Sequence, residues 1–587
     1  MGIDKLRKVL RQPISDNART RRYQLRIDDA IAGSLDSYVE QEDPEGLIHP
    51  PHYYAFSWFS PLSRWQGNEQ VFEVCLRGLE RWAEMSLNDE LTDIKNWDHT
   101  WTFEGIACSY IWLEDALPPE IQSKFLEACA HNAAIFTART NMGTVGNQCM
   151  SGILGDLLYG CLLNIEDFIA LSRERFDEFA PKVIMDSGQV NEQYGPCPNY
   201  SSGAFSFTFT YVLLSDLEEW RPRIQMALNW FRWMHTESLY VFPGPSSRKY
   251  FSRWMLHLPL HTFSGLEYAA ESQTMFLDFR DRYEALAGDV IREHICATDT
   301  VSILLNKHEE AVATSEQLDE WNQPLTEFFE QTWFGRSPIK YALIRRKYQT
   351  AICFMGWLPL IGLQTWAWGN EPPIIHPLHG APSSTQAWGI DTAASSADYY
   401  FYGHGAGAMA PAVIWRSEGF SQIGLPEEPA FVLWRHRQLI QLAIFTEVST
   451  VIIHTGETGH RVTRWALNPI EPSPPVIEQG VVSFGDRTGR IYALKGQPSL
   501  KEEIGDNYEE HEKRPVQVLA WETDDNDTAF AFSNESFEFL KDELASNRQL
   551  EFKDESGTYL ADISTILDED GYLRRNEVTA EIRRIST

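Results

Sequence analysis

The stretch Leu117-Pro-Pro-Glu-Ile-Gln-Ser-Lys-Phe-Leu-Glu-Ala-Cys-Ala-His-Asn-Ala-Ala-Ile-Phe-Thr-Ala138 indicates how the first half of the chain folds. Its apolar residues recur every three or four positions, the period of a helix with one buried face, and its prolines fall where a helix begins. Roughly ten helices in a row, joined by short turns, predict an (α/α) toroid or a helical array. The same spacing recurs through residues 16–310, in the segments Val71–Met85, Phe103–Leu117, Ile153–Leu163, Phe205–Leu214 and Ile224–Met234.

After about residue 340 the pattern changes to short runs rich in β-branched and aromatic residues, many of them separated by Gly, Asn and Asp turns. Such runs are typical of antiparallel strands. We therefore predict an α+β fold in which a toroid (residues 1–313) is joined by a linker (314–340) to an antiparallel β-sandwich (341–587). In the charged tail, Ser536–Ala545 is predicted to be a short helix. The predicted strand runs are Tyr341–Phe354, Tyr399–Tyr402, Ala412–Trp415, Phe431–Trp434, Leu442–His454, Val481–Phe484, Ile491–Leu494, Val516–Glu522 and Thr528–Phe532.

The composition narrows the class of partner. The chain has 587 residues, 43% of them hydrophobic and 23% charged, with a formal net charge of −33. This charge argues against a nucleic-acid partner, which needs a basic surface. An acidic glycan would need a locally basic groove. The eight cysteines form no Cys-x-x-Cys pair, so we expect buried thiols rather than a disulfide framework or a zinc cluster.

The N-terminal segment is basic and amphipathic and lacks the apolar core of a secretory signal. The most apolar run, Ala351–Leu363, is too short to span a bilayer and contains Pro359. We therefore expect a soluble protein without a membrane partner. The expected location is the cytoplasm, or the periplasm or exterior if a signal has been removed.

A first polar motif, Gly146-Asn147-Gln148, follows a glycine-containing loop and precedes the apolar segment Ile153–Leu163. Glycine lets the backbone come close to a ligand, and an amide at a helix start can bind a carboxylate. The alternative interpretation is that Asn147 only caps the helix.

A second motif is Asp186-Ser-Gly-Gln-Val-Asn-Glu-Gln-Tyr-Gly-Pro-Cys-Pro-Asn-Tyr200. Its glycines and prolines predict a structured loop before a helix that starts near Ser201. Tyr194 and Tyr200 would project from this loop, where catalytic groups tend to lie. The alternative is that both rings pack between helix ends.

Other polar residues lie in loops further along the chain. Arg248 ends the Pro-Gly-Pro-Ser-Ser loop that follows Phe242, and its planar guanidinium suits a carboxylate. His404 lies in a Gly-rich turn. His376 and His379 are three residues apart, a spacing that could also serve a metal. For each of these residues a purely structural role stays open.

Together these motifs resemble the heparinase II/III-like and alginate-lyase-like polysaccharide lyases. Those proteins join an (α/α) toroid to antiparallel β-sheet, and carry an Asn at a helix start and, downstream, an Asp-Gly loop that leads through a Glu to a Tyr. Here Tyr200 follows Asn147 by 53 residues, and Tyr194 is a rival for the family's Tyr. The matching residues are Asn147, Gln148, Asp186, Gly188, Glu192 and Tyr200.

The resemblance implies a lyase that cleaves a uronic-acid-containing glycan by β-elimination. Asn147, helped by Arg248 or Gln148, would neutralise the uronate carboxylate. Tyr200 would act as base, acid or both, and His404 or His379 would assist it or act as the second proton carrier. The substrate would be an acidic poly- or oligosaccharide. No cofactor would be required, and a structural metal ion stays open. The expected substrate-binding residues are Gln148, Glu192, Tyr194, Arg248 and His379.

Two other functions remain open from the sequence. A glycoside hydrolase on the same scaffold would need two carboxylates beside the scissile bond. A glycan-binding protein would bind sugar without turnover. The candidate carboxylates for a hydrolase are Asp98, Glu104, Asp186 and Glu192.

Overall fold

The computed structural model describes residues 2–11, 64, 67, 69–91, 96–139, 146–191, 198–234, 325–331, 339–346, 349–355, 362–368, 374, 384–388, 420–424, 429–436, 439–456, 460–467, 474–485, 487–507, 512–534, 536–567 and 573–586. The chain divides into two compact units, Met1–Arg232 with Met255–Leu318 and Trp233–Trp254 with Asp319–Thr587. The described part of the first unit is helical, and that of the second consists mainly of antiparallel strands. The α+β class predicted from the sequence is confirmed.

The helices follow the apolar periodicity of the sequence. In α2 the buried residues recur at three and four positions along one face, from Val71 to Ser86. None of the described helices is long and apolar enough to cross a membrane. The helices are α1 Ile3–Leu10, α2 Glu69–Leu87, α3 Asn96–Leu113, α4 Pro119–Arg139, α5 Gly146–Leu163, α6 Glu166–Val183, α7 Pro198–Ser215 and α8 Arg221–Trp233.

Helix α5 lies at the centre of the described helical unit. Buried residues occupy all of its faces, from Gly146 to Leu162, and it packs against α3, α4, α6 and α7. A helix that is apolar all round must be enclosed by other elements. Gly160 allows α6 to approach closely, because a Cβ there would lie 2.7 Å from Cγ1 of Ile169 and 2.9 Å from its backbone nitrogen.

Several helices end on a residue with left-handed backbone. Asn164 has φ 53° after α5, and Asp216 has φ 60° after α7. The next residue closes each helix end, with Ile165 N donating to Gly160 O at 2.9 Å and Leu217 N donating to Val212 O at 3.1 Å. Asn and Asp tolerate this conformation better than most residues, so they stop a helix where the chain must turn.

The amphipathic segment at the N-terminus is α1, which lies across the C-terminal ends of α3 and α7. Lys5 Nζ donates to the Ser215 carbonyl at 3.1 Å, and Arg11 Nε donates to the Ile111 carbonyl at 2.7 Å. Arg7 and Arg11 also bind the Glu114 carboxylate, each with one contact of 2.5 Å. The positive side chains of α1 therefore complement the negative ends of two helices.

The second unit contains four antiparallel sheets among the described residues, with the strand orders β1-β2-β3-β4, β14-β15-β10-β5, β11-β12-β13-β16-β9-β8-β7-β6 and β17-β18-β19-β20. A short helix, α9 Leu544–Asn547, follows β17. The strands are β1 Leu325–Gln331, β2 Ile339–Arg345, β3 Gln349–Met355, β4 Gly362–Trp368, β5 Ser384–Trp388, β6 Phe420–Gly424, β7 Ala430–His436, β8 Leu439–Phe445, β9 Thr450–Thr455, β10 His460–Ala466, β11 Pro475–Glu478, β12 Val481–Phe484, β13 Arg487–Ala493, β14 Ser499–Asn507, β15 Glu512–Thr523, β16 Thr528–Ser533, β17 Glu538–Glu543, β18 Gln549–Asp554, β19 Gly557–Leu567 and β20 Leu573–Ser586.

The eight-stranded sheet has an apolar core on each face. On one face Ile452 and Phe530 pack with Trp366 of the first sheet and Trp521 of the second. The other face packs on the β17–β20 sheet. Alternate residues of one strand thus serve different cores, which explains why β9 is buried at every position. The described strands form more layers than the two of a simple sandwich.

A buried turn between β8 and β9 ties three of these sheets together. The Thr446 carbonyl accepts a hydrogen bond of 3.1 Å from Gln349 Nε2, and its hydroxyl donates to Asp554 Oδ2 at 2.6 Å. Gln349 Oε1 also accepts from Thr450 Oγ1 at 2.7 Å and from Trp366 Nε1 at 3.1 Å. Since these groups are buried, each needs its partner, so the network fixes how the layers stack.

Several predicted boundaries need correction. The segment Ser536–Ala545 is mostly strand β17, because Phe537, directly before the strand, and Phe539, within it, alternate with outward residues and pack on the same apolar core. The runs Tyr341–Phe354 and Leu442–His454 are each two strands joined by a turn. Strand β1 lies within the predicted 314–340 linker.

The predicted runs Tyr399–Tyr402 and Ala412–Trp415 lie outside the described residues.

We expect Asp554→Ala to destabilise the β unit by about 2 kcal/mol, because it removes a buried charged acceptor from Thr446 and from the turn that follows β18. Asp554 is 2% exposed and also accepts from Ser556 N at 2.8 Å and Gly557 N at 3.2 Å. Urea unfolding followed by tryptophan fluorescence measures the loss. The exposed neighbour Glu555, changed to Ala, is the control, and equal losses in both variants would contradict the prediction.

Candidate active site

The first polar motif lies inside a helix. Helix α5 begins at Gly146 and not near Ile153, so Asn147 and Gln148 belong to its first turn. They were expected to form the approach to the helix. The turn is helical because Cys149 and Met150 are buried and continue the apolar face. Asn147 is itself 2% exposed, so its amide is buried at a helix start without being the residue that precedes the helix.

The start of α7 lies beside Asn147. A Cβ built on Gly203 would be 3.8 Å from the Cβ of Asn147. Tyr200 is the third residue of α7, three positions before Gly203, and residues at this spacing share one side of a helix. The structure therefore brings the backbone of Tyr200 and the side chain of Asn147 to the same end of the unit. The ring of Tyr200 lies outside the described atoms.

Helices α5 and α7 run side by side in the same direction. Their starts meet at Asn147 and Gly203. Further along, Ser172 Oγ of α6 is 3.1 Å from both the Ile153 carbonyl of α5 and the Tyr211 hydroxyl of α7. The N-termini of both helices thus lie at one end, and the α1 contacts described above lie at the other.

The segment after α6 forms a small hairpin at this same end, as its turn signature predicts. Ile184 and Val190 form an antiparallel bridge, and Asn191 N donates to Val183 O at 2.7 Å. Gly188 has φ +83°, and any Cβ there would overlap the backbone carbonyl of Met226 in α8. Glycine is therefore required by backbone conformation and by close packing.

Polar residues that the sequence analysis did not single out connect this hairpin to α7. Ser201 is buried and its Oγ donates to Val190 O at 2.7 Å. Within the hairpin, Gln189 Nε2 donates to Asn191 Oδ1 at 2.6 Å, and Asn191 Nδ2 donates to the Lys182 carbonyl at 2.9 Å. The only sequence signal for Ser201 was its position directly after Tyr200.

Asp186 forms an ion pair with Arg223 of α8. Its side chain is 90% exposed. The Arg223 guanidinium also donates to the Ile184 carbonyl at 2.6 Å and lies 5.1 Å from the centre of the Trp220 ring. Asp186 therefore helps to hold the hairpin, and its charge is matched by the arginine.

The electrostatics of this end favour an anion. A helix start carries partial positive charge and unpaired N–H groups, and acidic side chains in the first turn normally offset it. The first turns of α5 and α7 contain no acidic residue, whereas α6 has two, Glu166 and Asp167. Two positive helix ends thus meet beside Asn147 without acidic side chains of their own.

Two other phenols among the described residues of the helical unit, Tyr110 and Tyr159, are poorly suited to act as a base. Burial raises the pKa of Tyr110 to about 12 and raises that of Tyr159 well above its usual value. Both rings stack in the core, on Phe125 and Phe103 respectively. Tyr200 belongs instead to the first turn of α7.

The other predicted site residues lie outside the described part of the chain: Glu192, Tyr194, Arg248, His376, His379 and His404. Among the residues that the structure does describe, no group of three or more His, Cys, Asp or Glu side chains is placed to hold a metal ion. The five cysteines whose surroundings are described are buried, and none of these five forms a disulfide.

The carboxylates considered for a hydrolase are far apart where they can be compared. Glu104 is 3% exposed and lies 3.4 Å from Thr210 Oγ1. Thr210 is ten residues after Tyr200, which places it ~15 Å further along the axis of α7. Asp186 lies near the start of that helix. Paired glycosidase carboxylates are about 5 to 9.5 Å apart, so Glu104 and Asp186 do not make such a pair.

No protein-family model matches the sequence, and no curated protein matches it. The fold is similar to that of the Streptomyces coelicolor A3 chondroitin AC lyase, solved in complex with chondroitin sulphate, with a TM-score of 0.59 and 14% identity over 95% of this chain and 88% of that one. A Paenibacillus xanthan lyase is similar with a TM-score of 0.57 and 10% sequence identity, over 96% of this chain and 65% of that one. Heparinase III is similar with a TM-score of 0.56 and 10% sequence identity, over 90% of this chain and 90% of that one. The chain therefore shares its overall fold with polysaccharide lyases.

We expect Gly188→Ala to destabilise the helical unit by more than about 1 kcal/mol, because left-handed backbone is costly for alanine and its methyl group would overlap α8. Thermal unfolding followed by far-ultraviolet circular dichroism measures the effect. Ser187→Ala changes the exposed neighbouring position and should leave the midpoint unchanged. A Gly188→Ala midpoint equal to that of the wild type would show that the hairpin does not pack on α8 as described.

Proposed function

We propose that this chain is a polysaccharide lyase that cleaves a uronic-acid-containing glycan by β-elimination and leaves a 4,5-unsaturated uronate end. The observation that carries the proposal is the placement of Asn147 beside the first turn of α7, the turn that includes Tyr200. The fold shared with polysaccharide lyases over most of the chain supports it.

The first chemical requirement is to make the C5 proton of the uronate acidic. The charge that develops on the C6 carboxylate after proton loss must be stabilised, as in an oxyanion hole. The Asn147 amide and the N-terminal N–H groups of α5 and α7 suit this task, because they offer neutral donors and partial positive charge. Gln148, in the same turn, is proposed to assist in binding the carboxylate.

The second requirement is proton transfer. The base takes the C5 proton, the electron pair forms the C4–C5 double bond, the C4–O4 bond breaks, and O4 takes a proton. We assign the role of base, acid or both to Tyr200, and the role of helper or second proton carrier to His404 or His379. Glu192, Tyr194, Arg248 and His379 are proposed to position the sugars, Arg248 by pairing with a carboxylate.

The architecture belongs to the same proposal. We propose that the helical unit closes into an (α/α) toroid and that the β unit, which already includes strand β1 Leu325–Gln331, is the accompanying sandwich-like domain. The packing of α5 against both α3 and α7 supports this view, because alternate helices are then neighbours, as in a ring with an inner layer. The reaction itself needs no cofactor, since the electron pair and both protons stay between the substrate and side chains.

The first test is ultraviolet absorbance during incubation of the full chain with alginate, heparan sulfate, chondroitin sulfate, hyaluronan, ulvan and glucuronan. A lyase produces a conjugated uronate that absorbs, so we expect a steady rise with at least one polymer. New reducing ends without absorbance would instead indicate a hydrolase. Binding without either product would indicate a glycan-binding protein, and both results contradict the proposal.

Tyr200→Phe should lower kcat by about a thousandfold or more, because it removes the proposed proton carrier while keeping the ring. Tyr110→Phe removes a phenol hydroxyl from the core near the C-terminal end of α3 and should retain wild-type kcat. Circular dichroism shows whether both variants fold. Wild-type turnover in folded Tyr200→Phe would rule out this assignment and leave Tyr194 as the rival.

A further inference from the structure

The bridge between Ile184 and Val190 directs the Val190 carbonyl away from α6. The hydrogen bonds of this bridge are made by the flanking residues, with Met185 N donating to Gln189 O at 3.0 Å and Asn191 N donating to Val183 O at 2.7 Å. In such a bridge the paired residues point their own N–H and C=O groups outward. The Val190 carbonyl is therefore free to meet another element.

That element is the first turn of α7. Ser201 Oγ donates to Val190 O at 2.7 Å, and Ser201 is 0% exposed. Tyr200 directly precedes Ser201. Gly203 follows Ser201 by two residues and lies against Asn147. The first turn of α7 is thus held on one side by the hairpin and on another by the start of α5.

The hairpin is a rigid support for this contact. Gln189 and Asn191 are 0% and 1% exposed, and their side chains are hydrogen-bonded to each other. Asn191 also donates to the backbone carbonyl of Lys182 near the C-terminal end of α6. On the outside, Arg223 binds the Ile184 carbonyl and Asp186. Buried, hydrogen-bonded groups of this kind permit little movement.

We propose that Ser201 is a positioning residue for the elimination reaction, because its hydrogen bond to Val190 sets where the first turn of α7, and with it Tyr200, lies relative to Asn147. The inference rests on the proposed function and adds to it a residue that does not touch the substrate. A catalytic group must be held within a fraction of an ångström, and an error of about 1 Å can cost a hundredfold in rate.

The position of Ser201 in the first turn of α7 indicates that its hydroxyl does more than stabilise the helix. Serine is a weaker helix former than alanine, and serines near a helix start usually bond to their own backbone. The Ser201 hydroxyl reaches another segment instead, eleven residues back in the chain. By contrast, Thr208 in the same helix donates to its own Ala204 carbonyl at 2.7 Å.

The test compares Ser201→Ala and Ser201→Cys with the wild-type full chain on whichever polyuronate it cleaves. Cysteine keeps the side-chain size but is only a weak donor, so it serves if the alanine variant does not fold. We expect kcat to fall about tenfold or more with KM within twofold, because substrate binding is retained while the proton carrier is displaced. Ser201→Thr keeps the donor and is expected to recover most of kcat.

Thr208→Ala is the matched control, since it removes a buried hydroxyl from α7 whose bond stays within the helix. It should lower the unfolding temperature and leave kcat unchanged. Wild-type kcat in folded Ser201→Ala or Ser201→Cys, or an equal loss of kcat in Thr208→Ala, would overturn the positioning role while leaving the lyase proposal intact. A wild-type chain that cleaves no polyuronate of the panel would overturn both.

Discussion

The enclosure of α5 is the constraint on which the helical unit depends. A helix buried on every face cannot be stable on the surface, so α3, α4, α6 and α7 must pack around it. Gly160 shows how tight this packing is, because no side chain fits between α5 and α6 there. Once α5 is enclosed, its first turn is held in place with its polar residues at one end of the unit.

The candidate site follows from this enclosure. Asn147 is buried where the starts of two parallel helices meet, and neither start carries an acidic side chain in its first turn. The same end holds the hairpin that supports the first turn of α7, so the polar groups proposed for binding and proton transfer lie on a rigid base.

Much of the fold could be predicted because its signals are local. The 3.6-residue period of α2, the prolines at the start of α4 and the β-branched and aromatic runs of the later strands all act within a few residues. Where prediction was wrong, a tertiary contact had overridden the local pattern. Residues of β17 look helical in composition, yet Phe537 and Phe539 must alternate to reach the core below the sheet.

For the candidate site as well, residues with a local sequence signal could be predicted and residues defined by a tertiary contact could not. Asn147 and Tyr200 could be chosen from their residue types and flanking turns, and the fold places their backbones together. Ser201 gave no signal beyond its position after Tyr200, because its hydrogen bond to Val190 has no local sequence signature. Asp186 was a candidate carboxylate by type, and only its pairing with Arg223 gave it a structural role.

The sequence by itself determined most of the helices and strands, the helix ends at Asn164 and Asp216, and the left-handed turn at Gly188. These features depend on the backbone preferences of single residues and their near neighbours. Only the tertiary structure decided that α5 and α7 start at the same end, that the eight-stranded sheet is covered on both faces, and that Ser201 meets Val190. Such contacts arise from the packing of many side chains distant in the chain, and that information is spread too widely to be read from any one stretch.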